Sequence, residues 1–207
     1  KVEKPGTKFT KDINIRIKKK THNWVSRGGI KLDYAIEYLS LKLENKICAD
    51  IGSSTGGFTD VLLSRNVAHV YSIDVGKGLL DWKILKNKKV TLMDKTNARK
   101  ILLEDINPEI NFVTCDLSFI SLTKGLEKII ETKNKNISIL ALIKPQFELS
   151  KEMIGKKGIV TNSDYRKTAI IKVSKWFHEK GWKKKNLIES PIKGTKGNKE
   201  YFIYCEK

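Results

Sequence analysis

The chain has 207 residues, of which 40% are hydrophobic and 31% charged, a composition that excludes wholesale disorder and fits one α/β domain of ordinary size. No stretch of the sequence approaches the roughly 18 consecutive apolar residues that a membrane-spanning helix needs. The formal net charge of +18 favours a polyanionic partner. Cys48, Cys115 and Cys205 lie far apart and form no CxxC pair, which predicts neither a zinc site nor a disulfide framework and leads us to expect a reducing, cytoplasmic location.

The first part of the chain contains two predicted elements separated by a linker. Residues 1–20 hold isoleucines at the alternate positions 13, 15 and 17, a pattern that predicts a short strand. Residues 21–26 are expected to form a linker. An apolar stripe then predicts a helix from Arg27 to Leu39, although two glycines weaken its start.

From Lys46 onwards, strand and helix patterns alternate. Strands are predicted at Ile47–Ile51, Ala68–Asp74, Lys89–Met93, Phe112–Asp116 and Ser138–Ile143. Helices are predicted at Gly57–Arg65, Ser121–Thr132 and Asp164–Lys180, with shorter ones near Trp82 and Arg99. The chain ends in a predicted antiparallel pair, Asn186–Ser190 and Tyr201–Cys205. This alternation predicts an α/β fold with a mostly parallel, doubly wound sheet, helices on both faces and an antiparallel last strand.

Positive charge is concentrated near both ends of the chain. Residues 1–27 carry nine Lys or Arg and two acids, and residues 172–199 carry nine Lys and two acids. Two basic regions around a nearly balanced middle are typical of a surface that binds nucleic-acid phosphates and releases their counterions. A lysine-rich surface that is simply solvated is the alternative, and the charge alone does not distinguish RNA from DNA.

A glycine-containing loop, DIGSSTGG, runs from Asp50 to Gly57 between a predicted strand and a helix. Gly52 permits a sharp turn, and Gly56 with Gly57 lets the backbone approach a ligand closely. Phosphate-binding loops read GxGxxG or GxxxxGK[ST], but Ser54 replaces the second glycine of the first pattern and no lysine follows as in the second. An acid at the start of the loop would repel pyrophosphate and accept hydrogen bonds from an amine-bearing ligand.

Four acids end or follow successive predicted strands: Asp50, Asp74, Asp94 and Asp116. The carboxyl ends of parallel strands share one edge of the sheet, where such folds bind ligands. Asp74 follows Gly52 by 22 residues, where the residue that binds ribose hydroxyls is found in such folds, and Asp94 could meet an adenine amino group. Each acid taken singly could instead be a helix cap. As a set, the acids favour S-adenosyl-L-methionine as the cofactor over NAD or ATP.

The residues expected to bind this cofactor lie in the glycine loop, at the start of the following helix and at the strand ends: Asp50, Gly52, Ser53, Ser54, Gly56, Gly57, Phe58, Asp74, Val75, Asp94 and Asp116. No metal is expected beside it, because His22, His69 and His178 show no ligand spacing.

Six stretches of the chain carry a resemblance to a known family: VSRGGIKL, DIGSSTGGFTD, SIDVGKG, CDLSFIS, LIKPQFE and KGNKEYF. They are similar to motifs of the TlyA (hemolysin A) group of FtsJ-like ribosomal RNA 2′-O-ribose methyltransferases. The resemblance implies a Rossmann-like, S-adenosylmethionine-dependent methyltransferase domain at residues 27–207, after the remnant of an N-terminal RNA-binding domain at residues 1–20. It further implies methylation of ribose 2′-hydroxyls, with cytidine as the expected nucleotide and ribosomal RNA or ribosomal subunits as partners.

In the FtsJ-like pattern a Lys-Asp-Lys-Glu tetrad surrounds the target ribose, and the resemblance assigns it to Lys31, Asp116, Lys144 and Glu200. A ribose hydroxyl is a weak acid, which must be deprotonated or oriented before it attacks a methyl group. Lys144 follows an apolar run, and the loss of water around its amine would favour the neutral form. Asp116 would instead favour the charged ammonium. Lys144 is therefore the candidate base or orienting group, and the other three residues are expected to complete its network.

Other functions fit the sequence less well than ribose methylation does. An amino-methyltransferase would show Asn/Asp-Pro-Pro-Tyr/Phe after the fourth strand, where this chain reads Asp-Leu-Ser-Phe from Asp116. A cytosine-carbon methyltransferase needs a nucleophilic cysteine, but Cys115 and Asp116 are adjacent strand residues that point to opposite faces. A membrane-active hemolysin would need long apolar or amphipathic segments, and a non-catalytic RNA-binding protein would not need the acid-lined loop. No association with a membrane is expected, and the oligomeric state is left open.

Overall fold

The structure, a computed structural model, describes residues 22–107 and 109–207. The strand predicted around residues 13–17 and the domain remnant predicted at residues 1–20 lie outside the described residues. Within the described ranges, no helix combines the length and the apolar character that crossing a membrane requires.

One sheet of seven strands organises the described part of the chain. Its strands are β1 Ile47–Ile51, β2 His69–Ile73, β3 Val90–Met93, β4 Phe112–Cys115, β5 Ser138–Ile143, β6 Lys183–Glu189 and β7 Tyr201–Glu206. They are ordered β3-β2-β1-β4-β5-β7-β6, and β1 to β5 pair in parallel. Strand β7 pairs antiparallel with both β5 and β6. The predicted mostly parallel sheet with an antiparallel last strand is therefore confirmed.

Helices cover both faces of this sheet. They are α1 Arg27–Tyr38, α2 Gly57–Ser64, α3 Trp82–Leu85, α4 Leu103–Ile106, α5 Leu122–Gly125, α6 Pro145–Glu148 and α7 Ser163–Glu179. Short 3₁₀ turns occupy Ala98–Lys100, Ile129–Glu131 and Lys151–Met153. One hydrophobic cluster packs α1 and α2 against the sheet through Leu32 and Leu62, and the other packs α5 and α7 through Leu122 and Phe177.

The longest helix, α7, follows from the local sequence. The side chain of Asn162 accepts a hydrogen bond from the backbone N–H of Asp164 and so caps the first turn. Ala169, Val173 and Phe177 recur at intervals of four and are the buried residues of the helix. This spacing produces a narrow apolar stripe on one face, which is the pattern that predicted the helix.

The single helix predicted over Ser121–Thr132 is wrong. Helix α5 covers only Leu122–Gly125, and a separate 3₁₀ turn covers Ile129–Glu131. Glycine inside a helix costs about 1 kcal/mol relative to alanine. Gly125 lets the loop after β4 pack closely here, because a Cβ at this position would overlap Cδ1 of Leu117 unless that side chain shifted. The helix therefore ends where the loop after β4 packs against it.

Strand β6 begins at Lys183, three residues before the predicted start at Asn186. Its first five residues are exposed, so no apolar alternation marks them as a strand. The strand lies at the edge of the sheet, where lysines discourage pairing with another chain. Pairing with β7 extends the strand beyond what its hydrophobic pattern predicts.

Candidate active site

The glycine loop folds across the carboxyl ends of three strands. The backbone N–H groups of Gly52 and Ser53 both donate to the carbonyl of Ile73 at the end of β2, at 2.8 and 3.1 Å. Gly52 has a φ of +79°, and a Cβ at this position would lie 2.8 Å from the carbonyl oxygen of Asp116. Glycine is thus required both for the left-handed conformation and for the close approach to the end of β4.

Gly56 and Gly57 shape the start of α2. Gly56, the N-cap, has a φ of +91°, and a Cβ there would lie 2.7 Å from Leu80. A Cβ on Gly57 would overlap the hydroxyl of Ser26, which precedes α1. The two glycines therefore let the segment before α1 and the segment after β2 close around the loop, and only Gly57 lines a cavity.

Asp50 lies inside β1 with none of its surface exposed. Its carboxylate accepts hydrogen bonds from the hydroxyls of Thr59, at 2.7 Å, and Thr114, at 2.9 Å. Burial raises the pKa of Asp50 to about 6, although both hydroxyls oppose the rise. The structure therefore assigns Asp50 to the framework beneath the loop, which corrects the expectation of direct contact with a ligand.

Asp74 holds the loop from the end of β2. Its carboxylate accepts hydrogen bonds from the backbone N–H groups of Ser54, at 2.8 Å, and Gly76, at 2.7 Å. Asp74 and Val75 both line a cavity, as expected for ligand-binding residues. Asp94 does not line either cavity of the site, and its carboxylate accepts a long hydrogen bond of 3.3 Å from the backbone of Gly78.

Two adjoining cavities open at this edge of the sheet. The first cavity, of ≈ 660 Å³, is lined by α1, the glycine loop, the loops after β4 and β5 and the segment before β7. The second cavity, of ≈ 1220 Å³, extends from the loop towards the ends of β2 and β3. Both share a wall made by Gly52, Ser54, Asp116, Ser118, Phe119, Gln146, Phe147 and Ile154. A ligand held beside Asp74 would therefore adjoin the first cavity.

The four residues of the predicted tetrad all line the first cavity. Lys31 of α1 pairs with Glu200, just before β7, at 2.7 Å between Nζ and Oε2. Lys144, just after β5, pairs with Asp116, just after β4, at 2.6 Å between Nζ and Oδ1. The fold thus brings together residues as far apart in the chain as 31 and 200.

Both ion pairs are largely removed from water. Lys31 and Lys144 are each 8% exposed and Glu200 is 3% exposed. Removing such charges from water costs several kcal/mol per ion, so a buried pair is weak evidence for stability. Buried charges that face a cavity instead mark a candidate site for chemistry.

The structure also places beside the tetrad two residues that the sequence did not single out, Ser118 and Gln146. Ser118 accepts a hydrogen bond from Nζ of Lys144 at 2.8 Å. The hydroxyl of Ser53 and the amide oxygen of Gln146 are buried without a hydrogen-bond partner, and both residues line the first cavity. Such unsatisfied groups are costly unless a ligand completes them. The unpaired hydroxyl of Ser53 supports its predicted place in the binding loop.

An aromatic pair stands beside these residues. The rings of Phe119 and Phe147 lie 5.4 Å apart, and both line the two cavities. Phe119 is 87% exposed and has a φ of +66°, a conformation that is unfavourable for a bulky residue. An exposed aromatic ring in a strained loop at a cavity is typical of a binding surface, not of a core residue.

Cations border the first cavity at its opening. Arg27, Lys193 and Lys196 line it, and the guanidinium of Arg27 donates to the carbonyl of Lys193 at 3.0 Å. The lysines at the start of β6 do not join them. Lys183 pairs in register with Glu206, at the other end of β7 from Tyr201, which lies beside the site. From the sequence we expect RNA to lie across a surface that includes Lys183–Lys199 and flanks the site, and this expectation is wrong for the first lysines of that range.

Other reaction centres find no support among residues 22–107 and 109–207. These residues contain no group of three or more His, Cys, Asp or Glu that could hold a metal ion. Cys115 is fully buried in a hydrophobic cluster, and burial raises the pKa of its thiol. A thiol that resists ionisation is a poor nucleophile, so Cys115 is a core residue.

Comparisons with known proteins show the family to which the chain is similar. The family model of the FtsJ-like methyltransferases matches residues 24–207. The 16S/23S rRNA (cytidine-2′-O)-methyltransferase TlyA of Mycobacterium tuberculosis is 39% identical over 181 residues, which cover 87% of this chain and 68% of the relative. Hemolysin A of Brachyspira hyodysenteriae is 40% identical over 182 residues, covering 87% and 76%. A solved structure of a protein named as a hemolysin, from Lactococcus lactis, is 42% identical with a TM-score of 0.85, covering 89% of this chain and 88% of that one.

The buried Asp50 predicts a pH dependence of stability. Its pKa rises from 3.8 to about 6 on folding, so the folded state binds the proton more tightly than the unfolded state. The resulting stabilisation is complete below pH 4 and is lost as the pH rises through about 6. Relative to Asp50→Asn, which does not titrate, the wild-type free energy of unfolding should fall by roughly 3 kcal/mol across this range. Urea unfolding at several pH values measures the difference, and a constant difference would contradict the account.

Proposed function

We propose that this chain, which belongs to the FtsJ-like methyltransferase family, transfers a methyl group from S-adenosylmethionine to ribose 2′-hydroxyls of ribosomal RNA. The observation that carries the proposal is the convergence of two largely buried lysine–carboxylate pairs on one cavity that adjoins the glycine loop. The names of related rRNA (cytidine-2′-O)-methyltransferases suggest the substrate class, and we propose cytidine as the nucleotide. This substrate would place the activity in the cytoplasm, on ribosomal RNA or ribosomal subunits.

The residues around the glycine loop fit this cofactor chemically. The unpartnered hydroxyl of Ser53 and the loop backbone at Gly52 and Ser54 offer polar partners to an amino-acid group. Asp74 retains acceptor capacity for ribose hydroxyls, and Val75 adds apolar surface in the second cavity. When bound, S-adenosylmethionine supplies a methyl group activated by a sulfonium.

Lys144 is the residue we propose to act on the target hydroxyl. A lysine Nζ has three positions for hydrogen atoms or a lone pair. Ser118 accepts one of these hydrogen atoms at 2.8 Å, whereas Asp116 is an ion-pair partner at 2.6 Å whose Oδ1 lacks hydrogen-bond geometry. Another position of Nζ is left for the hydroxyl of a ribose in the first cavity, from which the amine would accept or orient the proton. The Lys31–Glu200 pair would hold the opposite wall of the same cavity.

Features at the opening of the first cavity suit RNA. Proteins recognise RNA mainly through unstacked bases, which they stack on aromatic side chains. The exposed ring of Phe119 offers such a surface beside the tetrad. The cations Arg27, Lys193 and Lys196 would contact the phosphates next to the target nucleotide.

Asp74→Asn should weaken the binding of S-adenosylmethionine by roughly ten-fold or more, because an amide replaces the charged acceptor of the ribose hydroxyls. Asp81→Asn is the matched control. Asp81 also accepts a hydrogen bond from the backbone two residues ahead, in this case from Lys83, but it lines neither cavity. Calorimetry on both variants measures the affinities. Equal affinities of the two variants would refute this role of Asp74.

Lys144→Ala should abolish methyl transfer to the ribose, while the affinity for S-adenosylmethionine changes less than about two-fold. Lys144→Arg should fail as well, because guanidinium stays protonated. The exposed Lys128, which pairs with Glu131, provides a control variant, Lys128→Ala, that also removes an ion pair. Single-turnover transfer to ribosomal RNA by the full-length protein is the assay. Near-normal transfer by Lys144→Ala would overturn the assignment, and near-normal transfer by Lys144→Arg would rule out proton acceptance by Lys144.

Replacing Lys193 and Lys196 together by Gln should flatten the salt dependence of RNA binding, because two phosphate contacts are lost. The slope of log K against log salt should change by roughly 0.7 to 0.9 for each contact. Replacing Lys183 and Lys184 by Gln removes the same charge at the other end of the sheet and should leave the slope unchanged. Filter binding at several salt concentrations compares the two variants. If the slope changed more in the Lys183 and Lys184 variant, RNA would bind at the start of β6 and the prediction would be contradicted.

A further inference from the structure

Two loops that border the first cavity are joined by one buried side chain. The 154–162 loop, between the last 3₁₀ turn and α7, contributes Ile154 and Gly158 to the cavity. The 190–200 loop, between β6 and β7, contributes Lys193 to Lys196 and ends at Glu200. Asn198 lies in the second of these loops and is 2% exposed.

The side-chain amide of Asn198 connects the two loops through both of its polar groups. Its Oδ1 accepts a hydrogen bond from the backbone N–H of Val160 at 2.9 Å. Its Nδ2 donates to the backbone carbonyl of Gly158 at 2.8 Å. A carboxylate of the same shape could only accept hydrogen bonds, so it would face the carbonyl of Gly158 with a second acceptor. The connection therefore needs an amide.

The 190–200 loop in turn packs against the carboxylate of Glu200. The backbone N–H of Gly194 donates to the carbonyl of Asn198 at 2.9 Å, which folds the loop back on itself. In this fold Gly194 approaches Glu200 so closely that a Cβ would overlap Oε1. The other carboxylate oxygen of Glu200 binds Lys31 at 2.7 Å. Any movement of this loop would therefore reach the Lys31–Glu200 pair.

We propose that Asn198 is a positioning residue that holds the Lys31–Glu200 pair in place by fastening the 190–200 loop to the 154–162 loop. This inference rests on the proposed function, because it gives the pair a geometry that methyl transfer needs. Asn198 also lines the first cavity, but its Oδ1 and Nδ2 both bind backbone groups, so we assign it to holding Glu200 in place and not to contact with the substrate. Small displacements of positioned groups lower reaction rates steeply, while the separate cofactor loop would be unaffected.

The chain offers a control, at a less buried position, for the loss of such a loop connection. Asn134 lies before β5, at the opposite end of the sheet from the site, and its Nδ2 donates to the carbonyl of Ile110 at 3.0 Å. Its Oδ1 accepts a hydrogen bond from the backbone N–H of Asn136 at 2.8 Å. Asn134→Asp therefore removes the same type of loop connection as Asn198→Asp without touching either cavity.

The test compares the full-length wild type, Asn198→Asp and Asn134→Asp in two measurements. The first is single-turnover methyl transfer to ribosomal RNA, which should fall roughly 10- to 100-fold in Asn198→Asp alone, with cofactor affinity unchanged. The second is acylation of Lys31 in the free protein, followed by mass spectrometry. Lys31 is 8% exposed and should react several-fold faster in Asn198→Asp alone. Asn198→Ser removes both hydrogen bonds without a buried charge and replaces Asn198→Asp if that variant does not fold.

The two measurements separate the two proposals. Acylation of Lys31 needs neither RNA nor cofactor, so it decides the positioning role even if the wild type does not methylate ribosomal RNA. In that case the proposed function fails and a faster acylation still supports the role of Asn198. The inference would be overturned if Lys31 were acylated in Asn198→Asp at the wild-type rate. It would also be overturned if Asn134→Asp changed both methyl transfer and acylation as much as Asn198→Asp does.

Discussion

The close contact between Gly52 and Asp116 is the constraint on which the rest of the site depends. The backbone N–H of Asp116 donates to the carbonyl of Ile51 at 3.0 Å, which aligns the end of β4 with the end of β1. Gly52, which follows Ile51, has a positive φ and turns the chain there. A Cβ on Gly52 would lie 2.8 Å from the carbonyl oxygen of Asp116. Because both residues line both cavities, this contact sets the glycine loop directly beside the Asp116–Lys144 pair.

The tetrad is better explained by chemistry than by stability. Two hydrophobic clusters, one on each face of the sheet, already hold the helices to the strands. Exposed pairs such as Lys175–Glu179 form at little desolvation cost. The Lys31–Glu200 and Lys144–Asp116 pairs, in contrast, lose most of their contact with water. A buried pair with a free position facing a cavity can act on a substrate, and this is the property that methyl transfer to a hydroxyl requires.

The alternation of strands and helices could be predicted because each element carries its own periodicity. The strand ends followed by Asp74 and Asp116 could be predicted for the same reason. The prediction of one helix over Ser121–Thr132 failed because the helix ends at Gly125, a poor helix former against which Leu117 packs. The prediction that Asp50 contacts a ligand failed because the carboxylate binds the hydroxyl of Thr114, which is 64 residues away in the chain.

Contacts between loops were beyond prediction for a related reason. Ser118 meets Lys144 across 26 residues, and Asn198 meets Gly158 across 40. Loop residues have no periodic signal, so their partners follow only from the way the strands are ordered in the sheet. The tetrad was found from the sequence through its resemblance to a family and not through spacing, since Lys31 and Glu200 stand 169 residues apart.

The central claim is that the two ion pairs direct a methyl group to a ribose oxygen. The most direct measurement is nucleoside mass spectrometry of ribosomal RNA after reaction with the full-length protein and isotopically labelled S-adenosylmethionine. The account predicts that fragmentation leaves the labelled methyl group on the ribose, with the base unlabelled. A labelled base with an unlabelled ribose would contradict the account.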